Sequence, residues 1–201
     1  MREIVSGVFL WSRLSEPHGY DFNGHLILHP AGNVCVDPVL PEPDELVALA
    51  RHGVRDIVLT NRNHVRAANA VREATGARCA IHADDAAYAR QQGAVIDAEL
   101  HAGARLGPMV AVAVPGKSPG EIALHWRERA LLIVGYALIG NPPGHCTLLR
   151  EKVLDDPARL RASVETLLAL EFDTLLVGDG VPILTGAHER VAELVATFPT
   201  R

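Results

Sequence analysis

Short apolar blocks separated by polar turns set the rhythm of this chain. "RDIVLT" and "RCAIHA" are compact apolar runs of strand length, and each leads through a polar turn into a helical segment, "HVRAANAVREATG" and "DDAAYARQQG". The second of these helices is expected to be capped by Asp84. Ahead of them, "IVSGVFLWSRL", "GHLILHP" and "NVCVDPVL" read as three strands, with a turn at Pro30 to Gly32. "EPDELVALARHG" reads as a helix, with acids in its first turn and Gly53 at its end. The first half therefore alternates strand and helix.

The pattern changes after residue 97. "AELHAGARLG", "MVAVAVPG" and "GEIALHWRERALLIVGYAL" give short strands with turn signals, Trp126 to Ala130 forms a hairpin turn, and no helix is expected before Asp155. "DDPARLRASVETLLALE" is then an amphipathic helix with Pro157 near its start. "FDTLLVGDG" is a strand that ends in a polar turn, and "GAHERVAELVATF" is the last helix. Two strand-rich halves, each carrying helices, predict two packed sheets with helices outside, an αββα sandwich in one domain over residues 1–201. A doubly wound parallel sheet is the weaker alternative, because the middle of the chain lacks crossover helices.

Composition narrows the function. At 201 residues, 48% hydrophobic and 21% charged, the chain can bury a sizeable core as an ordinary globular domain. A net charge of −5 and only 4% aromatic residues argue against a nucleic-acid partner, which needs a basic face and stacking platforms. Cys35, Cys79 and Cys146 lie far apart, form no zinc-type pair and suit a reducing cytoplasm. No long apolar run is present, so neither a signal peptide nor a membrane partner is expected.

Polar turns after buried strands are where chemistry is expected. Five stand out: Cys35 to Pro38, Thr60 to His64, Pro115 to Gly120, Val134 to Ala137 and Val177 to Gly180. As "VCVDP", "LTNRNHVR", "VPGKSPGEIALHW", "LLIVGYALIG" and "LLVGDGVPIL", their order and spacing resemble the metallo-β-lactamase-fold hydrolases, especially the small glyoxalase-II-like branch. The resemblance runs from about Gly7 to Leu194. It implies the αββα fold and a site built from T-H-x-H-x-D-H, P-G-H-[ST]-x-G, V-G-D and L-x-x-G-H-G turns, whose ligands hold one or two metal ions that activate a hydroxide.

The residues at those positions depart from that chemistry. Carried over one by one, the ligand positions hold Asn61, Asn63, Val65 and Arg66. Lys117 stands for the histidine of the second turn, Tyr136 for the bridging aspartate and Asp179 for the last histidine. Amides are poor zinc partners, and charged Lys and Arg offer no lone pair. His64 lies in the turn but off the ligand register. Asp37 and Thr60 are expected as structural partners, with Asp37 hydrogen-bonded to the Thr60 turn.

Two readings of the pocket follow. Lys117 and Asp179 form a buried salt bridge in place of the metal, or Arg66 and Lys117 make a cationic pocket for a small anion. No metal and no cofactor are expected on either reading. Zinc or another transition metal enters only through a relocated site among His25, His29, His64, His82, His125, His145 and His188, with His64 and His82 approaching each other from neighbouring strand ends. Lys117 is also a candidate nucleophile with Tyr136 as its acid partner. The functional expectations are a non-catalytic or anion-binding module, a hydrolase of small esters or thioesters with or without metal, and a subunit whose value is a homo-oligomeric surface.

Overall fold

A computed structural model describes residues 1–199. Seven strands form the first sheet, in chain order: β1 (Arg2–Val5), β2 (Val8–Ser15), β3 (Tyr20–Ile27), β4 (Asn33–Val36), β5 (Val54–Leu59), β6 (Arg78–His82) and β7 (Ala98–Leu100). Strands β1 to β4 pair antiparallel, while β4 to β7 pair parallel. The second sheet has five: β8 (Arg105–Leu106), β9 (Met109–Ala113), β10 (Ile122–Trp126), β11 (Leu131–Val134) and β12 (Thr174–Val177). Only its last pair, β11 with β12, is parallel.

Alternation along the strands divides the interior into three packed zones. On β5, Val58 faces the space between the sheets, while Ile57 and Leu59 face helices α1 (Pro43–His52), α2 (Ala68–Thr75) and α3 (Ala83–Gln91). On β11, Leu131 and Ile133 face the space between the sheets, while Leu132 and Val134 face α4 (Pro157–Leu167) and α5 (Ala187–Val195). All three crossover helices of the parallel strands cover one outer face. That leaves the other face for the second sheet, and the αββα expectation holds over the doubly wound alternative. Among the described residues, no helix is long and apolar enough to cross a membrane. The three cysteines are free and buried.

Three local expectations are corrected. "IVSGVFLWSRL" is a hairpin, β1 turning into β2, rather than one strand. Helix α2 starts at Ala68, not His64, because residues 61–67 form a turn in which the His64 amide donates to the Asn61 carbonyl and Arg66 takes φ 21°. The cap of α3 is His82 rather than Asp84: its Nδ1 accepts the Asp84 amide, so Asp84 lies inside the first turn. The expected hairpin turn at Trp126 to Ala130 is present, and Ala130 sits at φ 47°.

Candidate functional site

The five polar turns gather at one edge of the sandwich, around a buried carboxylate. Asp37, just past β4, takes φ 47° and donates its amide to the Val58 carbonyl, which turns its side chain toward the end of β5. Its Oδ1 accepts the Thr60 amide at 2.8 Å, and its Oδ2 accepts the Thr60 hydroxyl at 2.5 Å, as expected. The same Oδ2 lies 2.8 Å from His64 Nδ1. Burial alone would raise the Asp37 pKa, but the His64 ring and the two Thr60 bonds outweigh it and hold the carboxyl below its ordinary value.

The His64 partnership was not legible in the sequence. A carboxylate can only accept, so Nδ1 carries a proton. Nε2 is buried and has no hydrogen-bond partner. The ring lies beneath Tyr136, with centroids 4.3 Å apart, and against the Gly178 backbone. A Cβ at Gly178 would fall 2.7 Å from His64 Cε1, so only glycine fits there.

Asn61 and Asn63 belong to the frame of the site. Asn61 Nδ2 donates to Ser118 Oγ at 2.9 Å, and its Oδ1 accepts the Asn63 amide at 2.9 Å. Asp85, fully buried in the first turn of α3, ties two loops together. It accepts the Arg62 amide and the Ser118 hydroxyl on Oδ2, and the Gly120 amide on Oδ1. Asn23 of β3 plays a similar role, donating from Nδ2 to the carbonyls of Val177 and Gly180. Neither Asp85 nor Asn23 stands out in the sequence, since Asp85 is the second of two acids at a helix start and Asn23 a single amide within a strand.

The expected Lys117–Asp179 pair does not form. Asp179 Oδ1 accepts from Arg66 Nη2 at 2.7 Å, and the guanidinium lies 4.3 Å above the Phe22 ring. Asp179 is bridged to Phe22 of β3 through the backbone, so the carboxylate and the aromatic face present one seat suited to a planar guanidinium. Lys117 instead donates to Asn63 Oδ1 at 3.1 Å and lies 5.5 Å above the Tyr136 ring. Burial opposes charge on Arg66, but Asp179 and Tyr136 outweigh it and raise its pKa. Burial, with Asp179 adding to it, raises the Tyr136 phenol. Below the cluster, Glu121 is fully buried and both its oxygens lack hydrogen-bond partners. Burial lifts its pKa well above the ordinary carboxylate value.

These residues do not suit the metal the fold family implies. Val65 packs into the helix-side core, the Asn61 amide is held within the frame, and Arg66 and Lys117 are cations. Among the described residues, no group of three or more His, Cys, Asp and Glu side chains is placed to hold a metal ion. The remaining histidines are dispersed. His82 meets His101, His125 and His188 bond backbone carbonyls, His29 meets Trp126, and His145 is exposed. His25 is buried in β3 with neither ring nitrogen partnered, and burial pushes its pKa down to about 4.

A cavity of about 490 Å³ opens beside the cluster. Apolar side chains of the 139–153 loop line it together with His18, Tyr20, Asn141, Arg150 and Lys152. Tyr20 links it to the cluster. Burial raises this phenol, Asp179 adds to that, and Arg150 and Arg66 oppose it.

A family model described as the Metallo-beta-lactamase superfamily matches residues 4–198. A hydroxyacylglutathione hydrolase of Anaeromyxobacter dehalogenans (strain 2CP-C) is 33% identical over 153 residues, which cover 73% of this chain and 55% of that protein. The chain thus spans about half the length of this curated relative. The metallo-beta-lactamase of Pontibacter korlensis superposes with a TM-score of 0.78 at 12% identity, covering 98% of both chains, a likeness of fold alone. TTHA1623, solved in a di-iron-bound form, superposes with a TM-score of 0.68 at 26% identity over 90% of this chain and 98% of its own.

Proposed function

Because the chain belongs to the metallo-beta-lactamase superfamily, we propose that it has kept the fold's ligand site but lost the metal ligands, and that it binds a small anion through side-chain charge. The observation that carries this reading is the group of cations gathered at the former ligand positions and along the adjoining cavity. Arg66 is fixed in place by Asp179 and the Tyr136 phenol, and Lys117 lies over the ring of the same tyrosine. Arg150 and Lys152 add positive potential along the adjoining cavity. Its mixed polar and apolar lining suits a ligand with a carboxylate or phosphate on a short apolar body. No metal or other cofactor takes part in this reading.

Two measurements test it together. Elemental mass spectrometry on extensively washed protein is expected to find no near-stoichiometric transition metal. Inorganic phosphate or acetate at millimolar concentration is expected to raise the melting temperature, since a ligand of the folded state stabilises by mass action. Stoichiometric zinc, iron or manganese, or a flat response to both anions, refutes the reading.

A second reading, hydrolysis of small esters or thioesters, is favoured by the buried Asp37–His64 pair. It places a histidine ring held by a carboxylate beneath Tyr136, and the curated relative is named a hydroxyacylglutathione hydrolase. Turnover of thioesters in the presence of a chelator, lost in His64→Gln, would select it. Homo-oligomerisation and a cytoplasmic setting remain part of the proposal, checked by light scattering and by fractionation of the native host.

A further inference from the structure

The cavity of about 490 Å³ has far more room than a free phosphate or a two-carbon acid fills, and it lies within the range of small-molecule sites. Its walls are held by contacts within the chain. On one side, the Ile139 and Thr147 amides each donate to the other's carbonyl, at 2.9 and 3.0 Å, and the Thr147 hydroxyl donates to the Asn141 carbonyl. The Gly140 amide donates to the Asp179 carbonyl, which fixes the loop against the last polar turn. On the other side stands the tip of the β2–β3 hairpin. His18 Nδ1 is hydrogen-bonded to Ser15 Oγ at 2.7 Å, and the rings of His18, Tyr20 and Phe22 cluster with centroids 5.4–6.3 Å apart.

The charged side chains of this lining are both cations. Arg150 and Lys152 line the cavity, and among the described residues no acidic side chain does. Glu151, which separates them in sequence, turns away and accepts from Arg161 at 2.7 Å. Two neighbouring cations suit a dianion, so a phosphate matches them better than a single carboxylate. Burial and Asp179 raise the Tyr20 phenol while the Arg150 guanidinium opposes them, so the charged end adjoins the ring wall.

The rest of the lining suits a planar body. Rings from the hairpin and the aliphatic side chains of Ile139, Leu148 and Leu149 share one cavity, a combination that holds a flat ring by stacking and dispersion. Asn141 is exposed at its mouth, and its side-chain amide offers both a donor and an acceptor to a polar ring edge. A heteroaromatic ring that carries a phosphate on a short spacer meets all three features. The net charge of −5 disfavours a long polyanion, while the local pair of cations accepts one phosphate.

We propose that this cavity takes a nucleoside monophosphate: Arg150 and Lys152 hold the phosphate, the Tyr20 and His18 rings hold the base, and Asn141 reads its polar edge. This rests on the anion-site reading above and names the ligand class. It places the ligand on the 139–153 loop and the hairpin tip, beside the Arg66 cluster rather than within it.

The test is isothermal titration calorimetry on the full chain, with adenosine and uridine monophosphates as purine and pyrimidine probes and with ribose phosphate and adenosine as fragments. At least one nucleotide is expected to bind about tenfold or more tightly than either fragment, because base stacking and the phosphate contacts each contribute a factor of about ten. Arg150→Gln, a change at an exposed side chain, should weaken that nucleotide about tenfold and leave adenosine unchanged. Tyr20→Leu should weaken it about tenfold, and Tyr20→Phe, which keeps the ring, should not. Melting temperatures without ligand verify that each variant folds. No binding of either nucleotide at millimolar concentration overturns the proposal. So does a fragment that binds as tightly as the nucleotide, or an Arg150→Gln protein with unaltered nucleotide affinity. Phosphate and acetate are titrated against the melting temperature in parallel. A response to these ions without any preference for a nucleotide refutes the nucleotide cavity and leaves the anion site standing. Arg150-dependent nucleotide binding with a flat response to both ions refutes the small-anion reading instead.

Discussion

Asp37→Ala is the most informative single change to the frame of the site. The carboxylate accepts from the Thr60 amide, the Thr60 hydroxyl and the His64 ring, all of them buried. Each buried donor left without a partner costs about 1–3 kcal/mol. The hydroxyl can turn to another acceptor, so the Thr60 amide and the His64 ring are the two firm losses. Together they predict a destabilisation of about 4 kcal/mol. Urea unfolding followed by circular dichroism reads this directly. With a slope of about 2 kcal/mol/M, the midpoint should fall by about 2 M at unchanged slope.

The pH dependence supplies a second readout. A carboxyl whose folded pKa is depressed contributes stability that is present above the unfolded value and lost as pH falls through the folded one. The wild type should therefore lose stability as pH drops below about 4, the ordinary carboxylate range, and Asp37→Asn should flatten that loss. A destabilisation under about 1 kcal/mol for Asp37→Ala, together with an unaltered acid limb for Asp37→Asn, would refute the view that Asp37 anchors His64.

Other substitutions probe the neighbouring contacts. Gly178→Ala places a methyl 2.7 Å from His64 Cε1 and should cost about 1–3 kcal/mol by thermal melting. Arg66→Met leaves the Asp179 carboxylate buried and unpaired, with an expected loss of about 3–5 kcal/mol that Asp179→Asn in the same chain largely restores. Glu121 is the opposite case to Asp37. Its folded pKa is raised, so its contribution is full below the unfolded carboxylate value and declines as pH rises toward the folded one. Glu121→Gln should therefore gain stability over the wild type at pH 8 and show no such gain at pH 4, compared by urea midpoints at each pH.

The architecture was legible because strand-length apolar runs and polar turns alternate in a regular order, and the motif spacing put all five turns in the site. The Asp37–Thr60 bond was legible for the same reason, as both residues follow adjacent buried strands. What escaped was partner choice. Arg66 and Lys117 are equally plausible mates for Asp179 by charge, and only the Phe22 face, supplied by β3, decides for the guanidinium. His64 reads as a spare residue of the turn because its partner lies across a strand pair, 27 positions earlier. Asp85 sits unremarked behind Asp84, the acid expected as the helix cap. Its carboxylate binds Arg62, Ser118 and Gly120 only because α3 packs beside both loops.

The bonds from Asn23 to the Val177 and Gly180 carbonyls join positions 154 and 157 residues apart in the chain. During synthesis, the β3 end that carries Asn23 therefore emerges long before its acceptors exist. Strands β1 to β3 can assemble early with β4 to β7, but the Asn23 amide must wait, without its carbonyl partners, until β12 leaves the ribosome. Closing so long a loop is slow, and the interval exposes unpaired surface to aggregation. Expression temperature and chaperone supply should thus govern the yield of native protein more than the final stability of the fold does.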